Sequence, residues 1–282
     1  LAEFTALEID LIQLPSMKIP EDPRKKEPLS HITPIPAFRD NYIWALESES
    51  AVAVVDPGDA APVESYLKQS GKKLCAILIT HHHWDHTGGA KALAAAHRCP
   101  VYGPSVENIP GVTHGLGEGD QVKLAELNLA LTIMDIPGHT HGHIAYQGNG
   151  MLFCGDTLFA AGCGRLFEGT PAQMHHSLSR LAALPDETKM FCGHEYTLAN
   201  LAFAATVEPG NAAIHTRREK SEALRAQNLP TLPTTMADEK ATNPFLRVAE
   251  KSVKEAAEKQ TGEKLNDPVS VFAALRSWKD RF

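Results

Sequence analysis

From position 31 onward, segments of period-two hydrophobicity alternate with segments of helical spacing. Residues 41–46 (Asn-Tyr-Ile-Trp-Ala-Leu) and 51–55 read as paired strands, the second ended by Asp56-Pro57-Gly58. Helical spacing over 61–70, a buried apolar run over 74–80 and an Ala- and Leu-rich helix over 88–97 predict a β-α-β-α order. A second set of strands follows at 122–124, 127–134, 143–147 and 151–154, then a helix over 171–184 and a strand through Met190-Phe191-Cys192. Two groups of strands interleaved with helices predict sheets packed face to face with helices outside. After about Leu198 the strand signals stop, and 199–207, 214–227, 248–259 and 269–278 predict helices joined by Pro- or Gly-containing segments. The boundaries expected are an N-terminal extension of unassigned role at 1–30, a layered α/β domain at 31–200 and a smaller helical domain at 201–282.

Composition narrows the function classes. Of 282 residues, 43% are hydrophobic and 22% charged, which argues for a folded, soluble chain rather than disorder or a fibrous repeat. The formal charge is −7 and there is no polybasic block, so nucleic acid is not expected as a partner. The longest weakly charged stretch, around 127–136, falls far short of the ~20 apolar residues a bilayer crossing needs. Residues 1–30 lack the basic start and apolar centre of a secretory signal, and Glu3, Glu8 and Asp10 argue against an organellar presequence. Five cysteines with no Cys-x-x-Cys pair imply neither a disulfide framework nor a zinc ribbon, and a reducing, cytoplasmic setting fits best. The exceptional feature is 14 histidines, with His81, His82, His83, His86, His139, His141, His143 and His194 crowded into three short segments.

The run 74–80 ends in Thr80-His81-His82-His83-Trp84-Asp85-His86-Thr87-Gly88-Gly89, on the loop beyond a strand's carboxyl end, a common ligand position in α/β architectures. In this His-x-His-x-Asp-His pattern His81 and His83 can face one ion together, while Asp85 and His86 can face another. Imidazole and carboxylate at this density suit zinc, iron or manganese better than calcium or magnesium. Three further apolar runs end on a glycine beside a ligand-type residue: Gly138-His139, Gly155-Asp156 and Gly193-His194. Together these give His81, His83 and His139 for one metal, Asp85, His86 and His194 for a second, and Asp156 as a carboxylate able to bridge. Three terminal ligands per metal and a bridge leave positions open for water and substrate, the layout of a hydrolytic two-metal centre with ions about 3.5–4 Å apart.

Other residues near these motifs have plainer readings. His82 is out of phase with both ligand sets and is expected to pack around them; His143 is a candidate hydrogen-bond partner of a ligand, and His141 has no expected role. His175 and His176 read as ordinary helix residues, Cys154 and Cys192 as core fillers, and Cys163 as packing. Asp56 either hydrogen-bonds a metal ligand or caps its turn.

With these residues in hand, the sequence from about Ile32 onward resembles the metallo-β-lactamase superfamily and, within it, the glyoxalase II (hydroxyacylglutathione hydrolase) family. The resemblance lies in Ile35-Pro36-Ala37-Phe38-x-Asp40-Asn41-Tyr42-Ile43-Trp44, Gly155-Asp156-Thr157-Leu158-Phe159, and Gly162-Cys163-Gly164-Arg165-Leu166-Phe167-Glu168-Gly169. Gly193-His194-Glu195-Tyr196-Thr197-Leu198-Ala199-Asn200 and Asn243-Pro244-Phe245 complete it. These motifs are far more specific than the metal signature that lactamases, lactonases, nucleases and sulfur dioxygenases share.

The resemblance implies an αββα metallo-β-lactamase sandwich carrying the catalysis, a helical C-terminal substrate-binding domain, and hydrolysis of S-D-lactoylglutathione to D-lactate and glutathione, the second step of methylglyoxal detoxification. It implies two divalent metal ions per chain, zinc foremost with iron or manganese tolerated. Asp85 is expected to be catalytic, as a ligand that also orients the attacking hydroxide. Glutathione contacts map onto Arg165, Phe167, Tyr196, Arg276 and Lys279, whose cations suit a peptide thiol with two carboxylates. Phe167 departs from relatives with Tyr there, so a hydroxyl contact is lost. A monomer acting on this small-molecule thioester, with no membrane partner, is expected. The competing readings are a mononuclear iron glutathione-persulfide dioxygenase of the same superfamily and a metal-free binding module; the complete second ligand set weighs against both.

Overall fold

Alternation with no exposed phase explains the first sheet. The computed structural model describes residues 29–282, and opens with β1 (His31–Ala37), β2 (Asn41–Glu47) and β3 (Ala51–Val55). Every residue of β2 is buried, because Tyr42, Trp44 and Leu46 enter one core while Ile43 and Ala45 enter another on the opposite face. Pro34 and Pro36 cannot donate to a ladder, and β1 accordingly lies at the sheet edge. Helix α1 (Ala60–Ser70) starts where the Asp59 side chain accepts from Ala61 N and stops at Gly71, whose φ of 69° a side chain would resist. It leads to β4 (Lys73–Leu78), the short α2 (Trp84–Thr87), α3 (Ala90–His97), β5 (Val101–Pro104) and β6 (His114–Leu116). The six strands lie in sequence order, antiparallel from β1 to β3 and parallel from β3 to β6.

The second sheet is built from β7 (Gln121–Leu124), β8 (Leu129–Asp135), β9 (Ile144–Gly148) and β10 (Met151–Gly155), an antiparallel meander. A small hairpin of β11 (Leu158–Phe159) and β12 (Gly162–Cys163) follows, then α4 (Pro171–Ala182), whose Thr170 and Gln173 form a reciprocal cap. Strand β13 (Lys189–Cys192) returns parallel to β10. The remaining chain is α5 (Thr197–Val207), α6 (Ala212–Ala226), β14 (Thr234–Thr235), α7 (Met236–Thr242), α8 (Lys251–Thr261) and α9 (Pro268–Asp280). The main core lies between the sheets: Trp44, Leu78, Leu131, Phe153 and Phe191 meet there. Trp44 Nε1–H crosses it to donate to Cys192 O at 2.9 Å, a buried bond worth about 1 kcal/mol net. The same core runs on into the helical region through Phe203, Phe245, Phe272 and Leu275. Helices α1 and α3 cover the outer face of the first sheet.

Several differences from the sequence expectation have identifiable physical causes. Strands β5 and β6, four and three residues long, are too short for a period-two signal. Strand β14 interrupts the stretch expected to be helical only, pairing with β13 at the edge of the second sheet. Helix α7 was not anticipated; its start is set by Thr235 accepting from Asp238 N. The helix expected from 248 begins at Lys251, because Asn243 Nδ2 donates to Phe159 O (3.2 Å) and Gly162 O (2.9 Å) and its side-chain oxygen accepts from Phe245 N, holding the segment before it in a turn. Of the N-terminal extension, residues 1–28 lie outside the described residues. Among the described residues no helix is long and apolar enough to cross a membrane.

Candidate metal centre and adjoining cavity

The loops that follow β4, β8, β10 and β13 leave the carboxyl ends of their strands and converge with the β1–β2 turn at one edge of the sandwich. Crowding there explains two glycines. Gly155 has φ of 47°, and a Cβ on it would sit 2.3 Å from Thr80 Oγ1. At Gly193 a Cβ would stand 2.6 Å from His86 Cε1 and 2.7 Å from Asp156 Oδ1.

His81, His83 and His139 meet as a trio: His83 Nδ1 is 3.1 Å from His81 Nε2 and 3.0 Å from His139 Nε2. Their outer bonds indicate which nitrogens carry lone pairs. His139 Nδ1 donates to Arg165 O at 2.8 Å, so its Nε2 lone pair points inward. Thr80 Oγ1 donates to Asp56 Oδ2 (2.7 Å) and is left to accept from His81 Nδ1 (3.0 Å), which turns the His81 Nε2 lone pair the same way. Burial holds all three imidazoles below their ordinary titration range, with neighbouring histidine charges adding to the effect. Neutral rings with converging lone pairs are what a cation requires.

Asp85, His86 and His194 form the second group. Asp85 Oδ2 lies 3.6 Å from His86 Nε2 and 3.4 Å from His194 Nε2. Asp156 stands between the groups, with Oδ1 3.4 Å from His86 Nε2 and Oδ2 3.5 and 3.3 Å from His139 Nε2 and His194 Nε2. His86 Nε2 and Asp156 Oδ1 are buried with no hydrogen-bond partner, an arrangement that a metal ion accounts for and a purely structural cluster does not. Burial alone would lower the His194 imidazole, yet Asp156 and its hydrogen bonds with Asp156 and Asp85 push it up to about 10. His86 moves up in the same way against burial, through Asp156 and then Asp56, and burial fails to raise Asp156 because His86 and His194 hold it well below the carboxylate range. These shifts favour positive charge at the second group.

Around these seven residues lies a ring of partners. Asp56, left open by the sequence between two roles, bonds His86 Nδ1 (3.0 Å) and Thr80 N (2.8 Å). His143 donates from Nδ1 to Ile144 O and accepts at Nε2 from Asp156 N, at 3.1 Å each. His82 reaches Glu168 Oε1 at 2.7 Å, and His141 takes part only through its backbone N, which donates to Glu168. Sequence reasoning missed two members: Asp40 accepts from His194 Nδ1 at 2.8 Å, and Asn41 Nδ2 donates to Asp85 Oδ2 at 3.1 Å. Both sat in a quoted motif, but nothing local tells a turn Asp-Asn from one aimed at residues far along the chain.

A cavity of about 600 Å³ is lined by His139 and Asp156 together with all five expected substrate contacts, Arg165, Phe167, Tyr196, Arg276 and Lys279. The Tyr196 ring stacks on His194 (4.7 Å, 5° between planes), and the exposed Phe167 sets its ring against His83 and His139. Arg276, only 5% exposed, donates to Cys163 O (2.8 Å) and Asp280 (3.1 Å) while its Nε stays buried and unpaired. The Lys279 ammonium donates to Ala199 O at 3.2 Å; burial, then the Arg276 charge, lower its pKa to about 8. The Cys163 thiol is pushed up by burial despite Arg276 beside it. A larger groove, about 1100 Å³, lies among the C-terminal helices around Glu208 and Arg247, and no expected site residue lines it.

Comparison with known proteins shows the family. Residues 37–194 match the family model described as metallo-beta-lactamase superfamily, and residues 195–282 the one described as hydroxyacylglutathione hydrolase C-terminus. The chain is 57% identical over 255 residues to the hydroxyacylglutathione hydrolase of Alkalilimnicola ehrlichii, covering 90% of this chain and 100% of that one. It is 52% identical over 252 residues to that of Nitrosomonas europaea, covering 89% and 96%. Among solved structures, ETHE1 from Myxococcus xanthus aligns with a TM-score of 0.57 over 86% of this chain and 98% of that one, and at 23% identity the likeness speaks for the fold.

Proposed function

The chain belongs to the hydroxyacylglutathione hydrolase family of the metallo-beta-lactamase superfamily, and from that premise we propose that it hydrolyses S-D-lactoylglutathione to D-lactate and glutathione at two divalent metal ions. The observation that carries this reading is a cavity lined both by Asp156 and His139 and by Arg276 and Lys279. A thioester with a doubly anionic peptide arm needs both ends at once.

His81, His83 and His139 would hold one ion and Asp85, His86 and His194 the other, with Asp156 shared. Zinc is the first choice for this nitrogen and oxygen set, with iron and manganese also compatible. Bound there, the ions supply Lewis acidity toward the thioester carbonyl and lower the pKa of water. The protein's own groups do the rest. Asp85, its carboxylate held by Asn41, offers an oxygen that orients the attacking water. The ammonium of Lys279, the guanidinium of Arg276 and the exposed Arg165 receive the glutathione carboxylates. Phe167 and Tyr196 wall the reacting centre, with Tyr196 supplying the hydroxyl that Phe167 lacks. Cys163, its thiol pushed up and engaged by Arg276, is unsuited to nucleophilic attack.

The test is loss of the thioester absorbance with S-D-lactoylglutathione, with metal analysis on the same sample. Hydrolysis with about two metals per chain is expected. Full metal with no hydrolysis overturns the reading, and oxygen consumption with glutathione persulfide in its place would assign the one-iron dioxygenase.

A further inference from the structure

The motif around Asp40, Asn41 and Tyr42 supplies no metal ligand, and the structure shows it clasping one half of the metal centre. The turn between β1 and β2 is zipped to the loop that carries His194: Tyr42 N donates to Gly193 O and Glu195 N to Asp40 O, both at 2.8 Å, with an isolated bridge pairing Asn41 and His194. From this frame Asp40 Oδ1 accepts from His194 Nδ1 at 2.8 Å, and Asn41 Nδ2 donates to Asp85 Oδ2 at 3.1 Å and to Asp85 O at 3.4 Å. The turn is itself braced. Tyr42 OH donates to Glu195 Oε2 at 3.1 Å, and the Phe38 ring, on a residue with φ of 51°, packs edge-on to Trp84 at 4.9 Å.

The partition between the two ligand groups is sharp. His194 and Asp85 belong to the second group, whereas His81 and His139 are held from elsewhere, by Thr80 and by Arg165 O. The third member of the second group, His86, is held by Asp56. A carboxylate on the far nitrogen of a ligating imidazole fixes its tautomer and raises its basicity, and an amide on a ligating carboxylate fixes its aim.

We propose that the β1–β2 turn is a clamp selective for the second metal ion, with Asp40 and Asn41 as positioning residues that orient His194 and Asp85 and leave the His81, His83, His139 ion untouched. The inference rests on the two-metal reading above. It makes occupancy of the second ion depend on a turn more than 40 residues from Asp85 and more than 150 from His194 in sequence.

The experiment is a stepwise Zn²⁺ titration of metal-free protein against a chromophoric chelator, for wild type, Asp40→Ala, Asn41→Ala and Asp40→Asn. Wild type should take two ions. Both alanine variants should keep the first-ion affinity and bind the second about 10- to 100-fold more weakly. Asp40→Asn, which keeps an oxygen acceptor without its charge, should fall between, and it carries the comparison if Asp40→Ala does not fold. Melting of the metal-free forms separates loss of fold from loss of a ligand's aim. Equal weakening of both ions, or an unchanged second-ion affinity, overturns the clamp while leaving the two-metal reading standing. A wild-type protein that takes a single ion overturns that reading and the clamp with it.

Discussion

The half-buried Lys279 gives the cavity a pH dependence that can be worked out in advance. Its ammonium is disfavoured first by burial and then by the Arg276 charge, so its pKa falls from the usual lysine range to about 8 in the free protein. The sign follows directly: below that value the side chain is cationic and attracts a carboxylate, and above it the side chain is a neutral amine. At pH 7 about 90% of molecules carry the charge and at pH 9 about 10%, and apparent affinity scales with the competent fraction, so anion binding should weaken about ninefold over that interval. An arginine at the same place stays charged throughout. Calorimetry with a non-hydrolysable S-alkyl glutathione, on wild type and Lys279→Arg across this range, isolates the effect, because the ligand's own amine titrates identically with both proteins. The ratio of their dissociation constants should change about ninefold. A flat ratio, or a wild type that binds more tightly as pH rises, would refute either the contact or the cause assigned to the lowered pKa.

Two further outcomes follow from the metal centre. Gly193→Ala places a methyl 2.6 Å from His86 Cε1 and 2.7 Å from Asp156 Oδ1, both buried, so bound metal per chain should drop although the backbone tolerates alanine; metal content at the wild-type level would show that the ligands can move aside. In metal-free protein His194 is pushed up to about 10 and His86 is also raised by Asp156 and Asp56, so metal uptake by this group should eject protons at pH 7. Calorimetric heats in buffers of different ionisation enthalpy should report proton release chiefly with the second group, because burial holds His81, His83 and His139 below their ordinary range. Absence of proton release would mean the second group does not ligate.

How far the centre was legible depended on whether its signal was local. The alternation in residues 41–46 and the helical spacing in 61–70 needed only their own neighbours, and β2 and α1 appear where those patterns put them. The ligand types could be read because strand ends repeat one local device, an apolar run, a glycine and a His or Asp. Elements without a period of their own were illegible: β14 is two residues that exist as a strand only because β13 offers an open edge.

The sequence by itself therefore determined the longer strands and helices of the sandwich, the donor chemistry and the family resemblance, since each is carried by a short pattern whose physics is complete within a few residues. Only the tertiary structure decided what those residues meet. His194 finds Asp40 across 154 positions, Arg276 finds Cys163 across 113, and Lys279 finds Ala199 across 80. Such partners are chosen by the packing of two sheets and a helical layer around one continuous core. Burial lowers the Lys279 ammonium and leaves Arg276 Nε without a partner, while neighbouring carboxylates raise the His86 and His194 imidazoles against burial, effects that depend on surroundings no local pattern encodes.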